Sequence, residues 1–260
     1  MICMISCAMP SPRPAAAAAP ARPLYEEVRA HLTEGIAEGR WKPGEALPPE
    51  PAIASRFGVA IGTVRKAVDA LVAQGAVVRR QGKGTFVVAH DNRRLMFHFF
   101  HIVGTDGAKA EPAVRTLRFE RGRADALEAE ALAVPRDERV IRIRNLLTLA
   151  GRPVVLDDIT VAAALFPGLT ERIWTARDNT IYHLYQSRYG INVLRTDEHL
   201  RAVCAAGEVA QRLGVVPGSP LLEIRRVALT FRDRPVELRL SRVNTAAHAY
   251  HNTFGKGEAA

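Results

Sequence analysis

The chain has 260 residues and a mass of 28.4 kDa, with 48% hydrophobic and 24% charged residues, a composition that folds and excludes wholesale disorder. That length suits one large or two modest domains and leaves no room for a small module fused to a full cofactor enzyme, so no cofactor is expected. No apolar run approaches the ~18 residues that cross a bilayer as a helix, which excludes a membrane-spanning role, and 36 lysines and arginines against 27 acids favour a polyanionic partner.

Residues 1–21 carry Pro10, Pro12, Pro14 and Pro20 around the run Ala15 to Ala19 and show no period, so they read as a disordered leader. A signal peptide needs a basic segment before an uninterrupted apolar core, which Met1 to Ala8 lacks; an extended start with Met4 or Met9 nearby fits better, and a cytoplasmic location is expected. Cys3, Cys7 and Cys204 build no disulfide framework, and Cys204 reads as a small core residue.

From Pro23 the pattern becomes helical. Tyr25, Val28, Leu32 and Ile36 form a stripe that stops before Gly39, and Trp41 to Gly44 make a turn. A short helix, Glu50 to Phe57, is broken by Gly58. The next helix sets Val64, Ala67, Val68, Leu71 and Val72 on its core face and Thr63, Arg65 and Lys66 off it. Gly75 closes it, and two expected strands, Ala76 to Val78 and Phe86 to Val88, flank the basic link Arg79, Arg80, Gln81, Gly82, Lys83, Gly84 and Thr85. Between Arg56 and Val88 stand six cations and one acid, Asp69, whereas Arg22 to Ser55 has four cations and six acids. A cation-rich second helix followed by a glycine-tipped basic hairpin suits double-stranded DNA.

The runs Pro23-Leu24-Tyr25, Gly39 to Pro48, Phe57-Gly58-Val59, Thr63 to Ala67 and Gln81 to Val87 resemble the GntR family of winged helix-turn-helix transcription regulators. The resemblance implies a DNA-binding domain over residues 22–89 that sends Thr63, Arg65 and Lys66 toward the major groove. The wing residues Arg79, Arg80, Gln81, Gly82, Lys83, Gly84 and Thr85 would follow phosphates and the minor groove. The family's Ser-Glu-Arg triplet is here Pro49, Glu50 and Pro51, so the arginine of that corner is missing and Arg65 must carry more of the readout.

After a linker (90–96), alternating segments such as Val140 to Asn145 read as half-buried strands, with Arg142 and Arg144 on one face. Arg144, Leu147, Thr148, Arg152, Pro153 and Val154 recur 82 positions later as Arg226, Leu229, Thr230, Arg234, Pro235 and Val236, which predicts two related hairpins. Between them a helix capped by Asp178 or Asn179 carries Ile181, Leu184 and Tyr185 to Gly190, and another spans Glu208 to Leu213, giving an α+β class. Tyr185 to Gly190, Ala210 to Val215, Gly218 to Leu222 and Arg234 to Glu237 resemble the UTRA effector domain of the HutC subfamily.

That second resemblance covers 97–254, ahead of a tail (255–260), and implies a chorismate-lyase-like antiparallel sheet, a small-molecule pocket and a homodimer. It matches Arg142 and Arg144 to an Arg-x-Arg pair of the effector pocket, with Asp157 and Glu237 at its acidic positions, a set suited to a small anionic metabolite. Val243 replaces an aromatic hydroxyl common in sugar-phosphate-binding relatives. The expected function is a repressor released from a two-fold symmetric operator by that metabolite.

Enzymatic readings are weaker. Gly82-Lys83-Gly84-Thr85 lacks the spacing of a phosphate loop, no Gly-x-Ser-x-Gly elbow exists, and His98 and His101 lack a third ligand at metal-binding spacing, so no metal is expected. A DNA-anchored chorismate-lyase-like enzyme and a ligand-independent architectural protein are the alternatives.

Overall fold

The computed structural model describes residues 23–89, 99–177 and 180–252; the expected leader, linker and tail, together with His98, Asp178 and Asn179, lie outside the described residues. Three helices open the chain: α1 (Leu24–Ala37), α2 (Glu50–Phe57) and α3 (Ile61–Ala73). Their apolar stripes meet in one core, where Val28, Leu32 and Ile36 of α1 face Ile53 of α2 and Val64, Val68 and Leu71 of α3. Fully burying an aliphatic side chain stabilises by about 1.5–3 kcal/mol, so this stripe holds the three helices together. Gly58, at φ 62°, supplies the left-handed residue that ends α2 and turns the chain into α3.

The wing is β1 (Val77–Arg80) paired with β2 (Gly84–Val87). The ladder runs further toward the tip than the sequence suggested, through Arg79↔Thr85 and Arg80↔Gly84. Gly82 (φ 69°) and Gly84 (φ 111°) make so tight a turn, with the Lys83 N–H donating to the Arg80 oxygen at 2.9 Å, that the arginines stay in the strand.

The second domain is two copies of strand, helix, strand, strand. After the short β3 (Ile102–Gly104), the first copy is β4 (Ala113–Arg123), α4 (Ala126–Leu132), β5 (Arg139–Leu149) and β6 (Arg152–Ala162). Two helices intervene, α5 (Glu171–Thr175) and α6 (Ile181–Tyr189). The second copy is β7 (Arg195–Cys204), α7 (Gly207–Leu213), β8 (Pro220–Leu229) and β9 (Pro235–Val243), and β10 (His248–Tyr250) pairs back with β3. The six long strands form one antiparallel sheet in the order β4-β5-β6-β9-β8-β7. The helix α6 is capped by Thr180, whose hydroxyl accepts the His183 N–H at 3.1 Å, and ends at Gly190 as expected.

Asp158 pairs with Leu240, 82 positions later, so a local dyad passes between β6 and β9. The sequence echo is one residue out of step with the structure in β8. Arg144 pairs with Asp158 and Leu240 pairs with Arg225, which makes Arg225 the counterpart of Arg144, while Arg226 corresponds to Asn145. The cause is the turn: five residues separate Leu229 from Pro235, whereas four separate Thr148 from Pro153. A one-residue slip sends a strand's side chains to the opposite face.

The front face of the sheet carries Ile141, Ile143, Ile159 and Val161 beneath Phe166, Trp174 and Tyr185. The β3–β10 ribbon covers its other end, where Ile102 meets Leu147, Val155 and Val243. The back face holds α4 against Val140 and α7 against Leu146, Leu156 and Leu221. Cys204, expected in the core, is exposed at the end of β7. The domains touch where Leu194 and Phe231 pack on the helical core and Gln186 Nε2 donates to the Val88 oxygen at 2.9 Å. Beside that contact a cleft of about 990 Å³ is lined by residues of both domains, among them Arg29, Gln74, Arg195 and Arg232.

Candidate functional site

The start of α3 is an open surface. Arg65 and Lys66 are exposed, Thr63 is half-buried, and a Cβ built on Gly62 would meet nothing within 4 Å, so a backbone can approach closely there. No side chain caps this end of α3, which leaves its first N–H groups available to a phosphate. The basic residues fall into two groups. Glu50 accepts from Arg65 Nε at 3.2 Å and from Arg79 Nη2 at 3.1 Å, and Arg79 also pairs with Asp69. Arg79, expected as a phosphate contact, is therefore tied to two carboxylates that brace the wing against α2 and α3. Lys66 Nζ lies 4.1 Å from the Tyr25 ring centroid and Arg80 Cζ lies 4.7 Å from that of Phe86, while Lys83 is exposed at the wing tip beside Gln81, Gly82 and Gly84. Thr85 is half-buried in β2.

The four residues expected to grip the effector divide between the two faces of the sheet. Arg142 and Arg144 share the back face, as their spacing requires, but each already has carboxylate partners. Arg142 grips Glu128 with Nε and Nη2, both at 2.6 Å, and Gly122 on β4 makes room for the guanidinium, since a Cβ there would lie 2.3 Å from Nη1. Arg144 pairs with Asp158 at 2.6 Å and Glu208 at 2.7 Å. Burial pushes the Glu128 carboxyl up, yet the Arg142 fork, the Asp125 N–H and the Thr160 hydroxyl outweigh it and hold it below the usual carboxylate range.

Asp157 and Glu237 lie on the front face, both buried. Glu237 is fully enclosed: it accepts from Tyr185 at 2.6 Å and Tyr182 at 3.3 Å, and Arg239 spans its two oxygens at 2.9 and 3.1 Å. Burial, followed by the nearby Glu237 charge, pushes the Tyr182 hydroxyl up to about 12 and the Tyr185 hydroxyl well above its ordinary value, so both rings remain donors. Asp157 accepts from Ser241 Oγ at 2.5 Å and from Arg239 Nη1 at 3.5 Å. Its burial raises the carboxyl pKa despite those two partners.

The register sets Asn145, Asp157 and Ser241 side by side across β5, β6 and β9, a polar row in the middle of an apolar face. Asn145 is fully buried; its Oδ1 accepts from Thr116 at 3.0 Å and from Trp174 Nε1 at 3.4 Å, and its Nδ2 has no partner. An indole N–H only donates, so the amide oxygen must face Trp174 and the NH₂ group is the one left over. A buried amide without a partner costs about 1–3 kcal/mol, which a polar ligand in contact with it removes. Sequence reading passed over Asn145, Ser241 and Arg239; the signal for Asn145 is an amide inside a strand otherwise apolar on that face. Among the described residues no group of three His, Cys, Asp or Glu side chains could hold a metal, and the His101 ring packs 5.1 Å from that of Tyr250.

Residues 24–87 match the family described as bacterial regulatory proteins, gntR family, and residues 107–249 match the UTRA domain. The chain is 30% identical over 206 residues to the mannosyl-D-glycerate transport/metabolism system repressor MngR of Escherichia coli, and 33% identical over 206 residues to the histidine utilization repressor of Klebsiella aerogenes. Each alignment covers 78% of this chain and 83% of the relative. Among solved structures, the ligand-binding domain of a GntR-family regulator from Bordetella bronchiseptica is 37% identical, covers 60% of this chain and 98% of that one, and superposes with a TM-score of 0.58. PhnF from Mycobacterium smegmatis, at 23% identity and a TM-score of 0.52, covers 88% of this chain and 99% of that one and shares the fold. These relatives are transcription regulators, not enzymes. A DNA-reading helix and wing joined to a front-face polar row thus sit in a chain that belongs to the GntR family of DNA-binding transcription regulators, with the UTRA effector domain of its HutC-type repressors.

Proposed function

We propose that the protein acts in the cytoplasm as a homodimeric repressor of a two-fold symmetric operator, and that a small polar metabolite bound at the front-face polar row releases it. One recognition helix and one wing give few base contacts, so specific affinity calls for two copies. The single observation that carries the effector half is the Asn145 amide, buried and unpartnered in a row with Asp157 and Ser241. The metabolites named for the relatives differ from one another, and they do not identify the effector here.

Release follows from α6. Its Tyr182 and Tyr185 hold Glu237 on the front face, and its Gln186 donates to the Val88 oxygen just past the wing strand. A ligand that moves this helix changes the seat of the DNA-binding domain, and it weakens DNA binding by its differential affinity for the two arrangements. The test is fluorescence anisotropy with operator and random duplexes. Arg65→Ala is expected to cost about 1–3 kcal/mol on the operator and far less on random DNA. Equal loss on both would reduce Arg65 to a phosphate contact. On the effector side, Asn145→Leu should leave operator binding intact and abolish release in a metabolite screen; retained release at the same concentration places the pocket elsewhere.

A further inference from the structure

Arg177 lies just beyond α5, against Trp174, whose indole N–H reaches Asn145 of the polar row. Its Cζ sits 4.8 Å from the Trp174 ring centroid and Nη1 donates to the Trp174 carbonyl oxygen. Arg142, Arg144, Arg226, Arg239 and Arg242 all have carboxylate partners within 4.0 Å. Arg177 has none among the described residues, although it is half-buried. Burial lowers its pKa to about 10; the Tyr185 hydroxyl opposes the fall and the Arg239 charge adds to it. The guanidinium thus stands in a place that disfavours its charge, with the Trp174 oxygen as its acceptor among the described residues.

The same indole organises the second donor. Trp174 is fully buried, with Arg177 over its face and the Asn145 oxygen at its N–H edge. One buried ring therefore holds a guanidinium that has no carboxylate partner among the described residues and a carboxamide NH₂ that has no acceptor. We propose that this ring-mounted pair is the anion subsite of the effector site: Arg177 and Asn145 Nδ2 bind a carboxylate or phosphate group of the metabolite, and its hydroxyl or amino groups reach Asp157 and Ser241. The proposal rests on the effector reading above and deepens it by naming the ligand class. A guanidinium fork matches two oxygens of either anion, and a bound anion supplies the counter-charge that Arg177 lacks among the described residues. The arginine pair of the back face is not needed for it, since both members already have carboxylates.

The chain has two tryptophans, so Trp41→Phe leaves Trp174 as the reporter at the site. The full-length Trp41→Phe protein is titrated with inorganic phosphate and with acetate at constant ionic strength, chloride serving as the filler. A saturable change in Trp174 emission with phosphate points to phosphorylated metabolites, and one with acetate to carboxylates; either supports the subsite. Arg177→Met and Asn145→Leu should each raise the half-saturating concentration by about tenfold or more, as expected for a charge-assisted or buried hydrogen bond. Arg177→Lys, which keeps the charge and loses the fork, should fall between, and Arg144→Gln on the back face should bind as the parent does. No saturable response in the parent overturns the proposal, as does an Arg177→Met or Arg177→Lys protein that melts normally and shows the parent's half-saturation. A metabolite that releases operator equally from Arg177→Met and parent also sinks the subsite while leaving the effector reading standing. The subsite stands alone where phosphate binds as expected but no anionic metabolite releases DNA.

Discussion

The two faces of the six-stranded sheet carry similar residues in different circumstances. On the back, Arg144 and Arg242 share Asp158, with side chains that remain about one-fifth to one-third exposed. On the front, Glu237 is sealed beneath α6 with a guanidinium and two phenols around it. Opposite charges facing water contribute little, because solvent screens them and their long side chains lose freedom when paired. Enclosed charges contribute through what happens when one partner is missing. The same arginine chemistry is thus a surface brace on one side and an enclosed, fully paired cluster on the other.

The contrast is sharpest in Glu237→Ala, which leaves Arg239 buried without its carboxylate; a loss of about 3–5 kcal/mol in urea unfolding is expected. Glu128→Gln on the back face should cost about 1–3 kcal/mol at neutral pH. Because the folded carboxyl is held below its ordinary value, that cost is present above pH 4.5 and fades as the pH falls through the folded value. The front-face acid should slope the other way. Asp157 has a raised folded pKa, so wild type should gain on Asp157→Asn as acid is added from neutrality toward 3.8. Parallel melts of wild type and both variants between pH 4 and 7 check the pair of slopes, and a common sign would erase the distinction between the faces. Smallest of all, Arg144→Ala should shift stability by no more than about 1 kcal/mol, since its partners face solvent.

The DNA-binding half was legible because its signals are local. Val64, Val68 and Leu71 follow a helical period, and Gly58 and Gly75 punctuate it. The effector half was legible as hairpins, since Arg152-Pro153 and Arg234-Pro235 mark the same turn twice. The front-face polar row was not. Alternation pairs Arg142 with Arg144, but β5 is covered on both faces, and a strand of that kind does not disclose which of its polar side chains are enclosed. The repeat added its own trap: it aligns Arg144 with Arg226, and the longer second turn puts those two on opposite faces. Arg177 stands three residues after its indole, but the Asn145 amide comes to that ring only through the fold, so the sequence carries no signal for the pair.

The dyad between β6 and β9 relates Asp157 to Arg239, and across it Arg239 Nη1 reaches Asp157. A free-standing pair of identical first halves would instead set an aspartate against its own twin in the interior, and identical second halves would set arginine against arginine. Like charges at such a spot oppose association. The two copies are complementary at their shared axis, each supplying the charge the other lacks.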